Sequence, residues 1–428
     1  MSYVFVLDTN RQPLMPCHPA RAKELLTKQK AAVYRRYPFT IILKDRVGGD
    51  TQPIEMKNDP GSKATGLALV VEGKRGRRVV WGGEITHKGQ LVVGGLESRS
   101  ANRRSRRARH TRYRPARFSN RRRGAGWLPP SLRSRIDNVL NWTKKVQKFC
   151  PLTALVQELV RFDMQALENP EIDGVEYQQG TLLGYEVRGY LLEKWQRTCT
   201  YCGKKNVPME IEHIIPKARG GSNRVSNLAL ACHDCNNKKG TQTAAEFGHP
   251  TVQAQAKRPL KDAAAVNATR WALYEQLEAI GLPLSAGTGG RTKYNRTNQQ
   301  YPKAHWIDAA CAGVTGEHVH ISAVIVPLRI RAMGRGSRQM CSVDKYGFPR
   351  TAAKGAKRVQ GFQTGDIVKA IVPSGVSAGT HTGRITIRSS GRFNIGKACM
   401  SYRYCVLLQH TDGYAYQAEK ETIEVKPD

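Results

Sequence analysis

Two Cys-x-x-Cys pairs, Cys199/Cys202 and Cys232/Cys235, bracket a Glu212-His213 dipeptide, and Gly220-Gly221 and Asn227 lie between them, with Asn236 just after. Each pair makes a tight knuckle that points two sulfurs inward, and two knuckles have the spacing of a four-thiolate Zn2+ site. Four thiolates leave no position for a water, so the expected zinc is structural and any catalysis must come from neighbouring residues. Acids also recur far apart in apolar surroundings: Asp59 before Pro60-Gly61-Ser62-Lys63, Glu158 within Leu152–Val160, and Asp308 three residues after His305. A lone acid at a strand end is usually a solvated cap. Three that converge would repel one another without cations, so convergence itself argues for bound metal.

The cysteine segment, roughly residues 195–242, resembles the HNH nuclease family in its zinc-bearing ββα-metal form. The resemblance implies phosphodiester hydrolysis. A neutral imidazole takes a proton from water at pH 7, which makes His213 the expected general base. Cleavage also needs charge neutralised at the phosphate and leaving oxygen, the work of a Mg2+ held by a carboxylate and an amide oxygen. By resemblance these ligands are Glu212 and Asn236, while Asn227 would bond backbone and fix the loop that carries the base. Glu212 stands where many members have Asp. His233, between two zinc ligands, is expected to support the site without ligating. The alternative is a zinc ribbon that binds nucleic acid without cutting, against which the Glu-His pair, the glycines and the two asparagines count.

The three distant acids sit on apolar elements. Ile54 and Met56 lead to a turn at Asn58–Lys63. A strand follows at Gly66–Val71, then a Gly-Lys-Arg-Gly turn, then a strand at Arg78–Ile85. This opening resembles the RuvC branch of the RNase H fold. There, acids from the first strand, a later strand and a helix converge on two Mg2+ about 3.5–4 Å apart, which clamp the attacking and leaving oxygens. The resemblance makes Asp59, Glu158 and Asp308 metal ligands and His305 a helper that orients water. Helices are predicted over Pro19–Gln29, Ser131–Cys150, residues 180–197 and Ala263–Ile280, a strand at Thr40–Leu43, and a Gly-rich loop at Ser285–Gly290. From about residue 325 short strands alternate with Gly turns. Ile385 and Ile387 face Phe393 and Ile395 in a hairpin whose other face carries Arg384, Thr386, Arg388 and Arg392.

The 428 residues include 69 Lys plus Arg against 34 Asp plus Glu, a net charge of +35. That excess points to a polyanionic partner, nucleic acid ahead of membrane lipid; a merely basic protein is the bland alternative. Residues 97–123 concentrate it, with twelve arginines and Glu97 as the one acid. Such a run orders against phosphate or stays disordered. A helix is allowed up to Arg114, where Pro115 interrupts it, so Arg99, Arg103, Arg104, Arg106, Arg107, Arg109, Arg112 and Arg114 are candidate backbone contacts. No apolar stretch approaches about 18 residues and no basic leader precedes a cleavage site, so a cytoplasmic chain with reduced cysteines outside the pairs is expected, with no membrane partner.

Taken in order, these segments resemble the IscB family, transposon-encoded RNA-guided nucleases related to the ancestors of type II CRISPR effectors. The implied fold class is α+β and multidomain: a split RNase H-like (RuvC) α/β core with an inserted ββα-metal HNH zinc module, an arginine-rich bridge helix and a C-terminal β-rich domain. The implied segments are 1–50 (a Pro-Leu-Met-Pro leader), 51–96, 125–185 and 251–325 (RuvC), 97–124 (bridge), 186–250 (HNH) and 326–428 (reader of a short motif flanking the target). The resemblance implies a monomeric ribonucleoprotein with a structured noncoding guide RNA (omega RNA), double-stranded DNA as target, and Mg2+ and Zn2+ as cofactors. HNH would cut the guide-paired strand and RuvC the displaced strand. A protein-guided nuclease and a non-catalytic RNA-binding protein are the rival readings. Asn58 departs from the family pattern, which has an apolar residue before the first acid.

Overall fold

The computed structural model describes residues 2–109, 127–159, 191–192, 194–205, 207–257, 261–322, 325–334, 341, 344–345, 348–352 and 355–418. The chain is a mixed α+β, multidomain molecule. One compact unit comprises residues 1–159 and 269–428, and a second comprises 160–268. No helix among the described residues is long and apolar enough to cross a membrane.

The leader folds as β1 (Val4–Leu7), β2 (Pro13–Cys17), α1 (Pro19–Thr27), β3 (Ala31–Arg35) and β4 (Thr40–Leu43), in sheet order β2-β1-β4-β3. Pro19 sits in the first turn of α1, where a missing N–H costs nothing, and His18 caps it by accepting from the Ala20 N–H at 3.2 Å. The Pro-Leu-Met-Pro run is an edge strand with Leu14 and Pro16 turned inward, a place that tolerates proline.

Next come β5 (Ile54–Pro60), β6 (Ala64–Gly73) and β7 (Gly76–Thr86), an antiparallel meander. Alternation along β6 divides its side chains between two cores. Leu67, Leu69 and Val71 pack with Ile136, Val139 and Trp142 of α3 (Pro130–Gln147). Ala68 and Val70 pack on the opposite side with Trp306, Ile307 and Ala310. Between these elements runs α2 (Gly89–Ala108). It begins eight residues before the arginine run, because the apolar stretch Leu91–Leu96 continues the helix despite Gly94 and Gly95. Arg112 and Arg114 lie outside the described residues.

Strand β8 (Ala154–Glu158) pairs in parallel with β5. The second unit contains β9 (Met209–His213), β10 (Leu228–Cys232), α4 (His233–Lys239) and α5 (Val252–Lys257), with Leu228, Leu230, Val225 and Ile214 in its core. Of the predicted helical stretch 180–197, residues 191–192 and 194 are described as helix; 180–190 lie outside the described residues. Helix α6 (Lys261–Glu278) sends Leu273 and Leu277 into the first core.

The predicted loop Ser285–Gly290 is instead β11 (Leu284–Gly287), parallel to β8, followed directly by α7 (Gly289–Asn298). Leu-Ser-Ala-Gly has no strand propensity of its own; pairing with the free edge of β8 overrides it. Then follow α8 (His305–Ala310), β12 (Val319–His320) and β13 (Leu328–Ala332). The tail adds β14 (Arg358–Val359), β15 (Phe362–Gln363), β16 (Ile367–Val372), β17 (Gly379–Ile387), β18 (Arg392–Ile395), β19 (Ala398–Ser401), β20 (Cys405–Gln409) and β21 (Tyr414–Ala418). A five-stranded sheet β19-β18-β17-β16-β20 has its own core of Val368, Ile385, Ile387 and Phe393, and the hairpin pairs Ile385 with Ile395 and Ile387 with Phe393. The expected boundary at 326 is corrected here: β13 and β21 belong to the main sheet, β11-β8-β5-β6-β7-β13-β21, where they cover the β7 edge.

Helix α8 lies against β6 at the closest approach in this unit. A Cβ at Gly66 would sit 1.8 Å from the His305 carbonyl oxygen. Gly66→Ala is therefore expected to cost about 1–3 kcal/mol or more, read as a lower urea midpoint of the larger unit. Gly94→Ala, which points into open space on α2, should be neutral or slightly stabilising.

Candidate functional site

The parallel register of β5 and β8 pairs Asn58 with Gln157, so Asp59 and Glu158 lie side by side one step further on. Both are buried, at 9% and 6% exposure. Behind them, the Asn58 side chain donates to the Val156 carbonyl at 3.1 Å, a polar staple between the two strands. Helix α8 delivers the other two groups. His305 Nδ1 lies 3.2 Å from Asp59 Oδ2, and Asp308 Oδ1 is 2.7 Å from Arg296 Nε of α7.

The electrostatics record the convergence. Burial pushes the Glu158 carboxyl well above the usual glutamate value, and the Asp59 and Asp308 charges push it further, against a hydrogen bond from Thr292. Burial and then Asp59 raise Asp308, with Arg296 and Lys303 opposing. His305 is raised by its hydrogen bond to Asp59. The structure thus brings Asp59, Glu158, His305 and Asp308 together. Acids that repel in a buried setting fit divalent cations, which would remove the penalty. Thr292, Arg296 and Lys303 escaped the sequence reading, which assigned no element to residues 291–300.

In the smaller unit the four cysteine Sγ atoms lie within 4.8 Å of one another, and Cys202 Sγ and Cys232 Sγ are 3.7 Å apart. Zn–S bonds of about 2.3 Å in a tetrahedron require edges of about 3.8 Å, so the set fits zinc. Burial and the neighbouring sulfurs push the Cys235 thiol far up, a penalty that a bound cation reverses.

Beside the cysteines, β9 and β10 form the antiparallel pair that places His213 opposite Leu228. Asn227 accepts from the Ile215 N–H at 2.9 Å and donates to the Ile215 and Ser222 carbonyls at 3.0 and 2.9 Å, closing the loop after His213 as the resemblance implies. Gly221 is needed there, since a Cβ would lie 1.7 Å from the Ile215 oxygen. His213 Nε2 is 2.9 Å from Asn223 Oδ1.

Glu212 and Asn236, expected as the two Mg2+ ligands, each have other protein partners here. Glu212 is 4% exposed. Its two oxygens meet the Tyr201 hydroxyl and the buried Lys239 ammonium, each at 2.5 Å, and Lys239 also donates to the His213 carbonyl at 2.9 Å. A buried carboxylate takes the nearest buried cation. Asn236 turns instead to Glu210, whose Oε2 accepts from Asn236 Nδ2 at 2.6 Å and whose Oε1 is 2.8 Å from His233 Nδ1. The Asn236 amide holds Glu210 below the usual glutamate value, and Glu210 raises His233. Glu210, Lys239 and Tyr201 were missed, although Glu210 shares a strand face with Glu212 and Lys239 a helix face with Asn236.

On α2, Arg99, Arg103, Arg104, Arg106 and Arg107 are exposed, and Arg109 stacks over Phe348 at 4.0 Å.

Comparison with known proteins adds two family matches. Residues 4–180 match the family described as "RRXRR protein", and residues 199–242 match "HNH endonuclease". The segment that carries the four cysteines, Glu212 and His213 is thus similar to HNH endonucleases. No curated protein matches it. Among solved structures, Streptococcus thermophilus Cas9 in complex with the GGAA PAM is similar at 10% identity and a TM-score of 0.21, over 60% of this chain and 32% of that one. The Type II-C Cas9 of Actinomyces naeslundii is similar at 17% identity and a TM-score of 0.16, over 49% and 29%. The chain thus spans about a third of the Cas9 chains it matches.

A carboxyl raised by burial and repulsion adds stability below its ordinary value and loses it as pH rises through the raised one. In EDTA at pH 7, Glu158→Gln should outlast wild type in urea, with the gap closing as pH falls from the raised value toward 4.5. Magnesium at pH 7 should stabilise wild type and not the variant. Cys232→Ser should lose zinc, measured by metal analysis, and leave residues around 199–257 protease-sensitive.

Proposed function

We propose that the protein is an RNA-guided DNA endonuclease with two hydrolytic centres. The HNH centre around His213 cuts the guide-paired strand, and a RuvC-type centre of Asp59, Glu158, His305 and Asp308 cuts the displaced strand. The observation that carries this reading is the convergence of buried Asp59 and Glu158, from β5 and β8, with half-buried Asp308 of α8 in one unit, while the segment similar to HNH endonucleases lies in the other. One chain with two such centres suits the two strands of a duplex.

At the RuvC-type centre the three carboxylates would hold Mg2+, which when bound supplies charge neutralisation at the scissile phosphate. His305, tied to Asp59, faces the same cluster and is placed to orient water. At the HNH centre, donation of Nε2–H to Asn223 leaves the lone pair on His213 Nδ1, which accepts the proton of the attacking water. Glu212, pinned by Lys239 and Tyr201, and the Asn236 amide oxygen are the proposed oxygen donors for Mg2+, a hard-cation set. The exposed arginines of α2 suit a nucleic-acid backbone, and the resemblance to the IscB family is what makes the proposed guide an RNA. The charge of +35 is of the sign that a bound polyanion requires. Omega RNA is the proposed class of guide, and the five-stranded sheet with Arg384, Arg388 and Arg392 is the proposed reader of the flanking motif.

The test uses protein purified with its own RNA, a supercoiled plasmid matched to the guide with a randomised flank, and Mg2+. Asp59→Ala and His213→Ala should each convert linearisation to nicking, on opposite strands, and the double variant should do neither. Linear product from either single variant defeats the assignment of one strand to each centre, and absence of a defined co-purifying RNA defeats the guide.

A further inference from the structure

Glu210 has no part in the reading above, yet it makes the closest polar contact of Asn236. An amide has two unlike ends: its NH2 donates and its oxygen accepts. A carboxylate only accepts, so Glu210 Oε2, 2.6 Å from Asn236 Nδ2, admits one orientation of that amide and turns Oδ1 away from itself. Among the described residues no hydrogen bond is made to that oxygen. Glu210 is braced in turn. Its other oxygen meets His233 Nδ1 at 2.8 Å, and His233 Nε2 lies 2.9 Å from Asn237 Nδ2. The neutral tautomer with hydrogen on Nδ1 satisfies both contacts. The chain of contacts ties strand β9 to helix α4 through four side chains.

We propose that Glu210 is a positioning residue of the HNH centre: it locks the Asn236 amide with Oδ1 presented to the cation, and His233 holds Glu210 in that pose. The inference rests on the reading of Asn236 as a cation ligand. Outer groups that orient a ligand are worth about 10- to 100-fold in metal affinity or activity. Glu210→Gln keeps an acceptor for Asn236 and discards the charge, so it separates positioning from ligation.

The experiment uses the full ribonucleoprotein in two backgrounds. In Asp59→Ala, nicking of the guide-paired strand is followed against Mg2+ concentration. In Asp59→Ala/Glu158→Ala, Mn2+ binding is titrated by water-proton relaxation, independent of cleavage. Zinc content reports whether each variant is folded. Glu210→Ala should raise half-saturating Mg2+ and slow nicking by about 10- to 100-fold, and weaken Mn2+ similarly. Glu210→Gln should restore both to within about fivefold. Unchanged behaviour of Glu210→Ala overturns the proposal, and so does a Glu210→Gln as impaired as Ala with zinc intact, since its charge would then be what matters. Asn236→Ala that leaves Mn2+ binding and nicking unchanged overturns the underlying reading instead.

Discussion

Mutual repulsion among buried acids is the constraint around which the larger unit is arranged. Burial disfavours the charges of Glu158 and Asp308, Asp59 beside them adds to the penalty on both, and Asp308 adds to that on Glu158. They stay together because the elements that bear them cannot part. β5 and β8 are joined by a parallel ladder and the Asn58 staple, and α8 is seated on β6 over Gly66 with Trp306 against Gly82. Packing on the other face, through Trp81, Trp142 and Leu69, supplies the hydrophobic free energy that offsets the strain. The site is a place where local rules are broken and paid for by the surrounding core.

The smaller unit works differently. Its hairpin and short helices bury a core of their own, to which a metal held by the four cysteines would add a cross-link. Cys232 both ends β10 and precedes the first residue of α4. The cysteine knuckle therefore also sets the angle at which Asn236 and Lys239 return to β9. A buried ammonium at Lys239 then ties the end of β9, at Glu212 and the His213 carbonyl, to that helix.

Much of this was legible before any coordinates. The meander and α3 follow from apolar periodicity and turn signals, and the cysteine spacing states its own geometry. Asp59 and Glu158 end apolar runs that pair, so their adjacency could be anticipated. What failed did so for physical reasons. β11 is strand only because β8 offers an edge, and α7, which carries Thr292 and Arg296, starts at a Thr288 cap hidden among glycines. Glu212 looked free in the sequence because nothing there says that Lys239 is buried beside it. The start of α2 was set too late because the arginines drew attention from Leu91–Leu96. The tail boundary was misplaced because β13 and β21 are indistinguishable in pattern from the strands of the separate small sheet.

The order of strands has a consequence for biosynthesis. A ribosome releases β5 to β8 early, but α8 arrives only after the whole of 160–268, and β21 closes the sheet almost at the last residues described. The intervening segment has a core of its own and a four-cysteine cluster that fits zinc, so it is equipped to fold while its host is still incomplete. Until residue 308 emerges, the nascent chain has no complete acid cluster. A truncated product would carry the arginines and the HNH-like segment without Asp308, the last acid of the cluster to be made.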